Sequence, residues 1–371
     1  MAYGLYIFSA LIIAQFTALA LEAMGFFGSK KDFEVEGKTV LITGGSRGMG
    51  KAVAKLLASK GANVVIVARD EGKLASAFKE ISHLIDLLQA AAKSPSIQRF
   101  NAISADVTRP SENKRILAET TAWNHNQPPD IVWQIAGSST PGLFLETPIE
   151  ALHAQMDLNY WAATYLSHAT LKAWTTPASM STNRTATGTR HLILTSSSAA
   201  LCGVAGYTPY SPPKAAMRSL ADNLKSELNL YNGARQSPDR EIRASAPERD
   251  IAVHLILPGT IESPGRITEN RTKHPVTAIL ESGDPVQSED EVAAIAVKAL
   301  EAGGYLITTN WLGHLMRAGM LGGSPRNRVV WDTVLGWVVG VAYAFIVPDM
   351  EGKVWKYGRE TGLGKADGEE K

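Results

Sequence analysis

Residues 39–50 read TVLITGGSRGMG. Five β-prone residues, Thr39 to Thr43, run directly into a glycine cluster and then into a helix-forming stretch from Met49 to Ser59. Gly44, Gly48 and Gly50 permit a tight turn and let backbone N–H groups approach a pyrophosphate. The helix that follows turns its positive N-terminal end toward the same anion. Ser46 and Arg47 lie inside the loop. Glycines alone serve many turns, but a strand before them and a helix after them predict a dinucleotide site.

Outward from this unit the pattern repeats. Asn63 to Ala68 (NVVIVA) is a second strand, a weaker third closes at Ser104-Ala105-Asp106, and Ile131 to Ile135, His191 to Thr195 and Ile251 to Leu257 follow. Tyr305 to Thr309 is a seventh. The runs are apolar on both faces, as strands of a helix-covered parallel sheet are. Strands alternating with helices predict an α/β fold with a doubly wound parallel sheet, whose ligands bind at the carboxyl ends of the strands. Two polar inserts, Thr175 to Thr189 and Asn232 to Arg249, read as surface loops.

The chain has 371 residues, enough for a large core, with 45% hydrophobic and 20% charged residues. Its 37 basic and 36 acidic residues give a net charge of +1, which argues against a nucleic-acid partner bound through bulk positive charge. One cysteine, Cys202, excludes an internal disulfide, and the eight histidines show no metal-ligand spacing. Two stretches are too apolar for a soluble average. Leu5 to Leu21 carries no charge and is followed by Lys30 and Lys31, which predicts a membrane anchor with the main domain on the cytosolic side. Val334 to Val347 is uncharged but short for a span, so a membrane-crossing helix and an interfacial segment are both open. The expected division is an anchor over 1–30, a dinucleotide-binding α/β domain over 31–310, an apolar lipid-facing or membrane-associated segment over 311–350 and a loose polar tail over 351–371.

The second strand addresses the choice of dinucleotide. An NAD site ends this strand with an acid on the ribose hydroxyl, whereas here Ala68-Arg69 stands there, with Arg47 near. Guanidinium groups grip a 2′-phosphate, so NADPH is expected, although Asp70 follows immediately. Chemistry is carried by Thr195 to Lys214, TSSSAALCGVAGYTPYSPPK. Tyr210 and Lys214 are one helical turn apart. A lysine ammonium beside a phenol lowers its pKa toward working pH, and such a phenol can give a proton to a carbonyl oxygen as hydride reaches carbon. Ser197 ends the preceding strand and can hydrogen-bond the same oxygen.

The TGxxxGxG loop and the YxxxK pair together resemble the short-chain dehydrogenase/reductase family over roughly residues 38–305, and imply a Rossmann-type fold. The resemblance implies catalytic Ser197, Tyr210 and Lys214, with Asn159 completing a proton relay. It implies that Asp106 and Val107 contact the adenine, that Ala136 and Gly137 line the cofactor, and that Pro258 and Thr260 hold its carboxamide end. The family's asparagines after the fourth strand are replaced by Gln134 and Ile135, which puts local sheet support in question. Members often pair through the helices near Asn159 and Tyr210, which implies a homo-oligomer. The GxxGYTxYSPxK stretch, the Pro258 segment and the apolar C-terminal region are similar to a branch that reduces a long-chain lipid ketone in sphingolipid synthesis at the endoplasmic reticulum membrane. Membrane-anchored steroid or retinoid reductases share the same motifs, and a catalytically silent NADPH-binding scaffold is the alternative outside enzymes.

Overall fold

The computed structural model describes residues 31–91, 98–176 and 188–362, together with Thr17. The expected N-terminal anchor and most of the 175–189 insert lie outside the described residues. Seven parallel strands form one sheet in the order β3-β2-β1-β4-β5-β6-β9. They are β1 (Thr39–Thr43), β2 (Asn63–Ala68), β3 (Phe100–Ser104), β4 (Ile131–Gln134), β5 (Arg190–Thr195), β6 (Ile251–Leu257) and β9 (Leu306–Thr308). The third strand ends two residues before its expected limit, because Asp106 accepts two hydrogen bonds from Thr108 and turns the chain toward the next helix.

Alternate side chains of each strand feed opposite faces. Val40 and Ile42 of β1 pack with Val53 and Leu57 of α1 (Gly48–Ser59), Ile81 of α2 (Glu71–Ala91) and Leu300. Leu41 turns to the other face, with Ile116 of α3 (Pro110–Trp123), Leu166 and Met217. Burial on both faces is what the continuous apolar runs require. After the short α4 (Ile149–Met156) and a wide π-type turn over Asp157–Trp161, α5 (Ala162–Thr175) covers this second face with α6 (Ser211–Arg235). The sheet order reverses between β1 and β4, so a crevice opens where their following loops diverge.

The 232–249 insert is not the loop that its polar sequence suggests. Helix α6 continues to Arg235, whose guanidinium binds Asp250 at 2.8 Å. Asp239 then caps a short α7 (Arg240–Ser245) by accepting from the N–H groups of Glu241 and Ile242. Beyond β6 the chain makes an excursion clipped by a second, two-stranded sheet, β7 (Thr260–Glu262) with β8 (Val286–Ser288). Between these strands lie α8 (Pro264–Asn270) and α9 (Pro275–Glu281). A capping box, Ser288 with Glu291, starts α10 (Glu289–Glu301), which returns the chain to the sheet.

The last two helices are α11 (Trp311–Gly319) and α12 (Val329–Thr361). Helix α12 has 33 residues, so the apolar segment and the first eleven residues of the supposed loose tail are one helix. It is long and apolar enough to cross a membrane, which fits membrane association. A buried two-pronged pair, Arg317 with Asp332 at 2.8 and 2.9 Å, joins α11 to the start of α12. The two helices touch at glycines. A β-carbon on Gly319 would lie 2.4 Å from the Tyr343 ring, and one on Gly336 would lie 2.8 Å from the Ala318 carbonyl.

Candidate active site

The crevice at the strand ends is a cleft of about 890 Å³. Its floor is the glycine loop. Gly44 has φ +73° and its N–H bonds the Val67 carbonyl at 2.8 Å, closing the turn after β1. A β-carbon on Gly50 would sit 2.1 Å from the Gly44 oxygen, so α1 can begin this close to the strand only without a side chain there. The opposite wall is the loop after β4. Thr43 Oγ1 accepts from the N–H groups of Ile135 and Ala136 at 3.2 and 3.3 Å, and Gln134 donates to Ser167 at 2.8 Å. These bonds supply the support left in question by the missing asparagines.

Gly44, Ser46, Arg47, Gly48, Gly50, Arg69, Val107, Ala136, Gly137, Pro258 and Thr260 all line this cleft. Asp106 does not. Burial works against its charge, but the bonds from Thr108 and the nearby Arg69 and Arg109 hold its carboxyl below the usual range. Arg47 and Arg69 are exposed at the cleft mouth. Asp70 is taken by Lys73, through a 2.8 Å ion pair and a 3.0 Å bond from its N–H, and is thereby turned into the start of α2.

The three residues expected to transfer the proton, Ser197, Tyr210 and Lys214, stand together in the cleft. Ser197 follows β5, and its Oγ accepts from Ala199 N. Tyr210 caps α6, and its N–H bonds Tyr207 O at 2.9 Å. Pro212 and Pro213 fall in the first helical turn, where no N–H donor is needed, so Lys214 still rises beside Tyr210. Its Nζ lies 5.6 Å from the phenol centroid and donates to Thr195 O at 3.1 Å. Burial pushes the Lys214 pKa down to about 7. Burial also raises the Tyr210 phenol, and its hydrogen bond with Ser197 opposes the rise only in part. The expected lowering of Tyr210 by Lys214 is therefore not the balance found here, because closing both groups away from water favours the neutral form of each.

Asn159 is fully buried behind the cleft wall, in the π-type turn. It receives Ser138 N at 3.2 Å and donates to Ser138 O, Gln155 O and Gln155 Oε1. A β-carbon on Gly137 would come 2.8 Å from Asn159 Oδ1 and 3.2 Å from Lys214 Nζ, so this glycine separates the two.

The cleft extends past Tyr210 into a region whose residues sequence motifs did not single out. The Tyr207 ring lies 5.9 Å from the Tyr210 ring, and its hydroxyl donates between Glu269 of α8 and Glu281 of α9, 2.5 Å from each. Lys273 pairs with Glu281 at 2.5 Å and with Glu269 at 3.3 Å. Asp284, half-buried, is the third carboxyl, raised by burial and by the charge of Glu281. Ser263-Pro264 and His274-Pro275 are cap-and-proline signals for the two helix starts, but no spacing signals that Glu269 and Glu281 converge on Tyr207. The remaining wall is apolar, with Leu312 and Met316 of α11 and Val339, Tyr343 and Ile346 of α12.

A family model described as short chain dehydrogenase matches residues 38–274. The chain belongs to the short-chain dehydrogenase family, an oxidoreductase family whose parallel sheet and glycine loop are those found here. It is 44% identical over 355 residues to the 3-ketodihydrosphingosine reductase ksrA of Aspergillus fumigatus, covering 95% of this chain and 93% of the relative. It is 42% identical to the 3-ketodihydrosphingosine reductase gsl-3 of Neurospora crassa, covering 91% and 87%, and 29% identical to the 3-dehydrosphinganine reductase of Danio rerio, covering 81% and 80%. Among solved structures, a short chain dehydrogenase from Burkholderia cenocepacia in complex with NADP matches with TM-score 0.56 and 22% identity, over 75% of this chain and 98% of that one, a likeness of fold. The fold is thus that of a nicotinamide-dependent oxidoreductase family, and Ser197, Tyr210 and Lys214 lie together in the cleft at its strand ends.

Proposed function

We propose that this chain reduces 3-ketodihydrosphingosine to dihydrosphingosine with NADPH, a step of sphingolipid synthesis. One juxtaposition carries the reading. Ser197, Tyr210 and Lys214 share a cleft with a carboxylate cluster on one side and an apolar helical wall on another, in a chain 44% identical to a fungal reductase of that ketone. The substrate has a carbonyl at C3, an amino group at C2 and a long alkyl chain. Each feature has a counterpart: the tyrosine for the carbonyl, Glu269, Glu281 and Asp284 for the ammonium, and α11 with α12 for the chain.

The cradle fits a dinucleotide, since Gly44, Gly48, Gly50 and Gly137 line it with backbone and no side chains, and Gly44 and Gly48 turn at positive φ. The 2′-phosphate preference rests on Arg47 and Arg69 at the mouth, with Asp70, the acid that follows Arg69, committed to Lys73. When bound, NADPH supplies the hydride to C3. Ser197 and Tyr210 hold the carbonyl oxygen, and Tyr210 passes its phenolic proton to that oxygen as charge develops. A phenol kept protonated by burial is suited to this acid role. Lys214, protonated, stabilises the tyrosinate that results. Asn159 fixes the Ser138 backbone and the wall against which Lys214 stands.

The reading places the protein at the endoplasmic reticulum membrane with its catalytic domain in the cytosol, on the strength of the two apolar stretches and of Lys30 and Lys31. A homo-oligomer through α5 and α6 is supported by Trp161, exposed and stacked on Tyr165 at 5.8 Å. The test is NADPH oxidation by detergent-solubilised protein with 3-ketodihydrosphingosine, with product identified by mass. Turnover that is lost in Tyr210→Phe and weak with NADH supports the assignment. Protein that binds NADPH but leaves this ketone untouched overturns it.

A further inference from the structure

Helix α12 has two faces with different neighbours. Val339, Tyr343, Ile346 and Met350 recur at helical spacing and line the catalytic cleft. Trp337, Val341 and Phe345 lie on the other side and are 62%, 67% and 74% exposed. Of its most apolar eighteen residues only 17% are buried inside the protein. An exposed apolar face of this extent marks a partner surface.

The helix is held to the catalytic domain along its length. Arg317 with Asp332 and the Gly319 and Gly336 contacts hold its start, and Tyr357 packs edge-on against His274 of the α9 region at 5.8 Å near its end. A helix that crossed the bilayer would leave the domain after its first turns. The uncharged run from Thr333 to Pro348 is sixteen residues. At 1.5 Å per residue this charge-free run covers about 24 Å, so a helix spanning the hydrocarbon core of about 30 Å would draw Asp332 or Asp349 into its edge. Arg326 and Arg328 precede it, and Lys356 and Arg359 follow, which suits headgroups at both ends of a helix lying flat.

We propose that α12 lies along the membrane surface as the wall between lipid and cleft, with Trp337, Val341 and Phe345 in the leaflet and Val339, Tyr343 and Ile346 against the substrate's alkyl chain. The inner half of this statement rests on the lipid-ketone reading above; the outer half does not. The long chain then enters sideways from the leaflet beside α12, without crossing water.

The test uses the full chain with Cys202→Ser, in sealed phosphatidylcholine vesicles. Gly323→Cys lies before α12 and Gly358→Cys near its end, both where a β-carbon meets nothing within 4 Å. A membrane-impermeant maleimide should label the two from the same side. Labelling from opposite sides would mean a span and would overturn the proposal. A bimane on Phe345→Cys should be quenched more by lipid carrying a nitroxide high on its acyl chain than by lipid carrying one near the chain end. Deeper quenching again means a span; no quenching means that a protein surface, and not lipid, covers this face. For the inner stripe, Ala342→Trp should lower the ratio of kcat/KM for the long-chain ketone over a short-chain analogue by about tenfold. An unchanged ratio would remove the chain from this wall. If the wild type does not reduce the long-chain ketone, the functional reading fails, while labelling and quenching still decide how α12 lies.

Discussion

The cofactor side of the cleft consists of short loops that each leave a sheet strand directly: Gly44 to Gly48 after β1, Arg69 after β2, and Ala136 with Gly137 after β4. The substrate side comes from residues 263–285, clipped at both ends by the β7–β8 pair, and from α11 and α12. The first side is lined by backbone groups and a helix start, so glycines are conspicuous and side chains few. On the second, side chains distant in sequence meet: Tyr207 with Glu269 and Glu281, and Gly319 with Tyr343. Residues that must approach a constant cofactor are fixed by local geometry, whereas those that choose a substrate are fixed by how helices dock.

That contrast can be broken at its hinge, Tyr210, which serves both sides. Tyr210→Phe keeps the ring and removes the acid. Turnover should fall by about 10³-fold while NADPH binding, read by fluorescence titration, stays within a factor of a few. Loss of both would mean that the phenol organises the cofactor side as well.

On the cofactor side alone, Arg69→Asp removes a phosphate grip and adds repulsion. The Kd for NADPH should rise about 30-fold with little change for NADH, measured by calorimetry. Equal weakening of both cofactors would show that Arg69 acts on the loop and not on the 2′-phosphate.

On the substrate side, Glu269→Gln with Glu281→Gln keeps the Tyr207 contacts in shape but removes two charges. The ratio of kcat/KM for the amino ketone over its deaminated analogue should fall about tenfold. A ratio that does not move would make this cluster purely structural.

The smallest effect is one of pH on the cofactor-free protein. Lys214 is held near 7 in the fold and returns to its ordinary value near 10.5 on unfolding. Between these values the unfolded chain binds the extra proton, so stability rises with pH. Lys225, also lowered by burial, adds in the same direction, and Cys202, raised to about 11 by burial, opposes it only above its ordinary 9.0. Tm should therefore climb from pH 7 to 9, and Lys214→Met should flatten the climb without abolishing it.

These experiments divide along the line between what could and could not be read from the chain. The sheet was legible because buried parallel strands leave unbroken apolar runs: β1, β2 and β6 have the limits that composition suggests. The glycine loop and Tyr210 with Lys214 were legible because their chemistry needs fixed short spacings. Asp106 does not line the cleft, and its carboxylate is engaged by a turn bond from Thr108 that spacing alone does not announce. The 232–249 insert looked like a loop because its short helix is held by the Asp239 cap and the segment is tied back by Arg235 to Asp250, with hardly an apolar face to show in sequence. The carboxylates around Tyr207 carry no spacing signature, since α8 and α9 bring them together in space only.

The wide turn over Asp157–Trp161 carries a consequence for the whole segment. It amounts to one residue more than a regular helix would use. Each added residue advances the angular phase of a helix by about 100°. The residues before it, which include Gln155, and the face of α5 after it are therefore set in two different phases, and Asn159 stands at the change. Deleting a single residue there would restore a uniform screw and could only raise local regularity. It would also swing that amide out of line with Ser138, so a chain with better helical order would be the poorer catalyst.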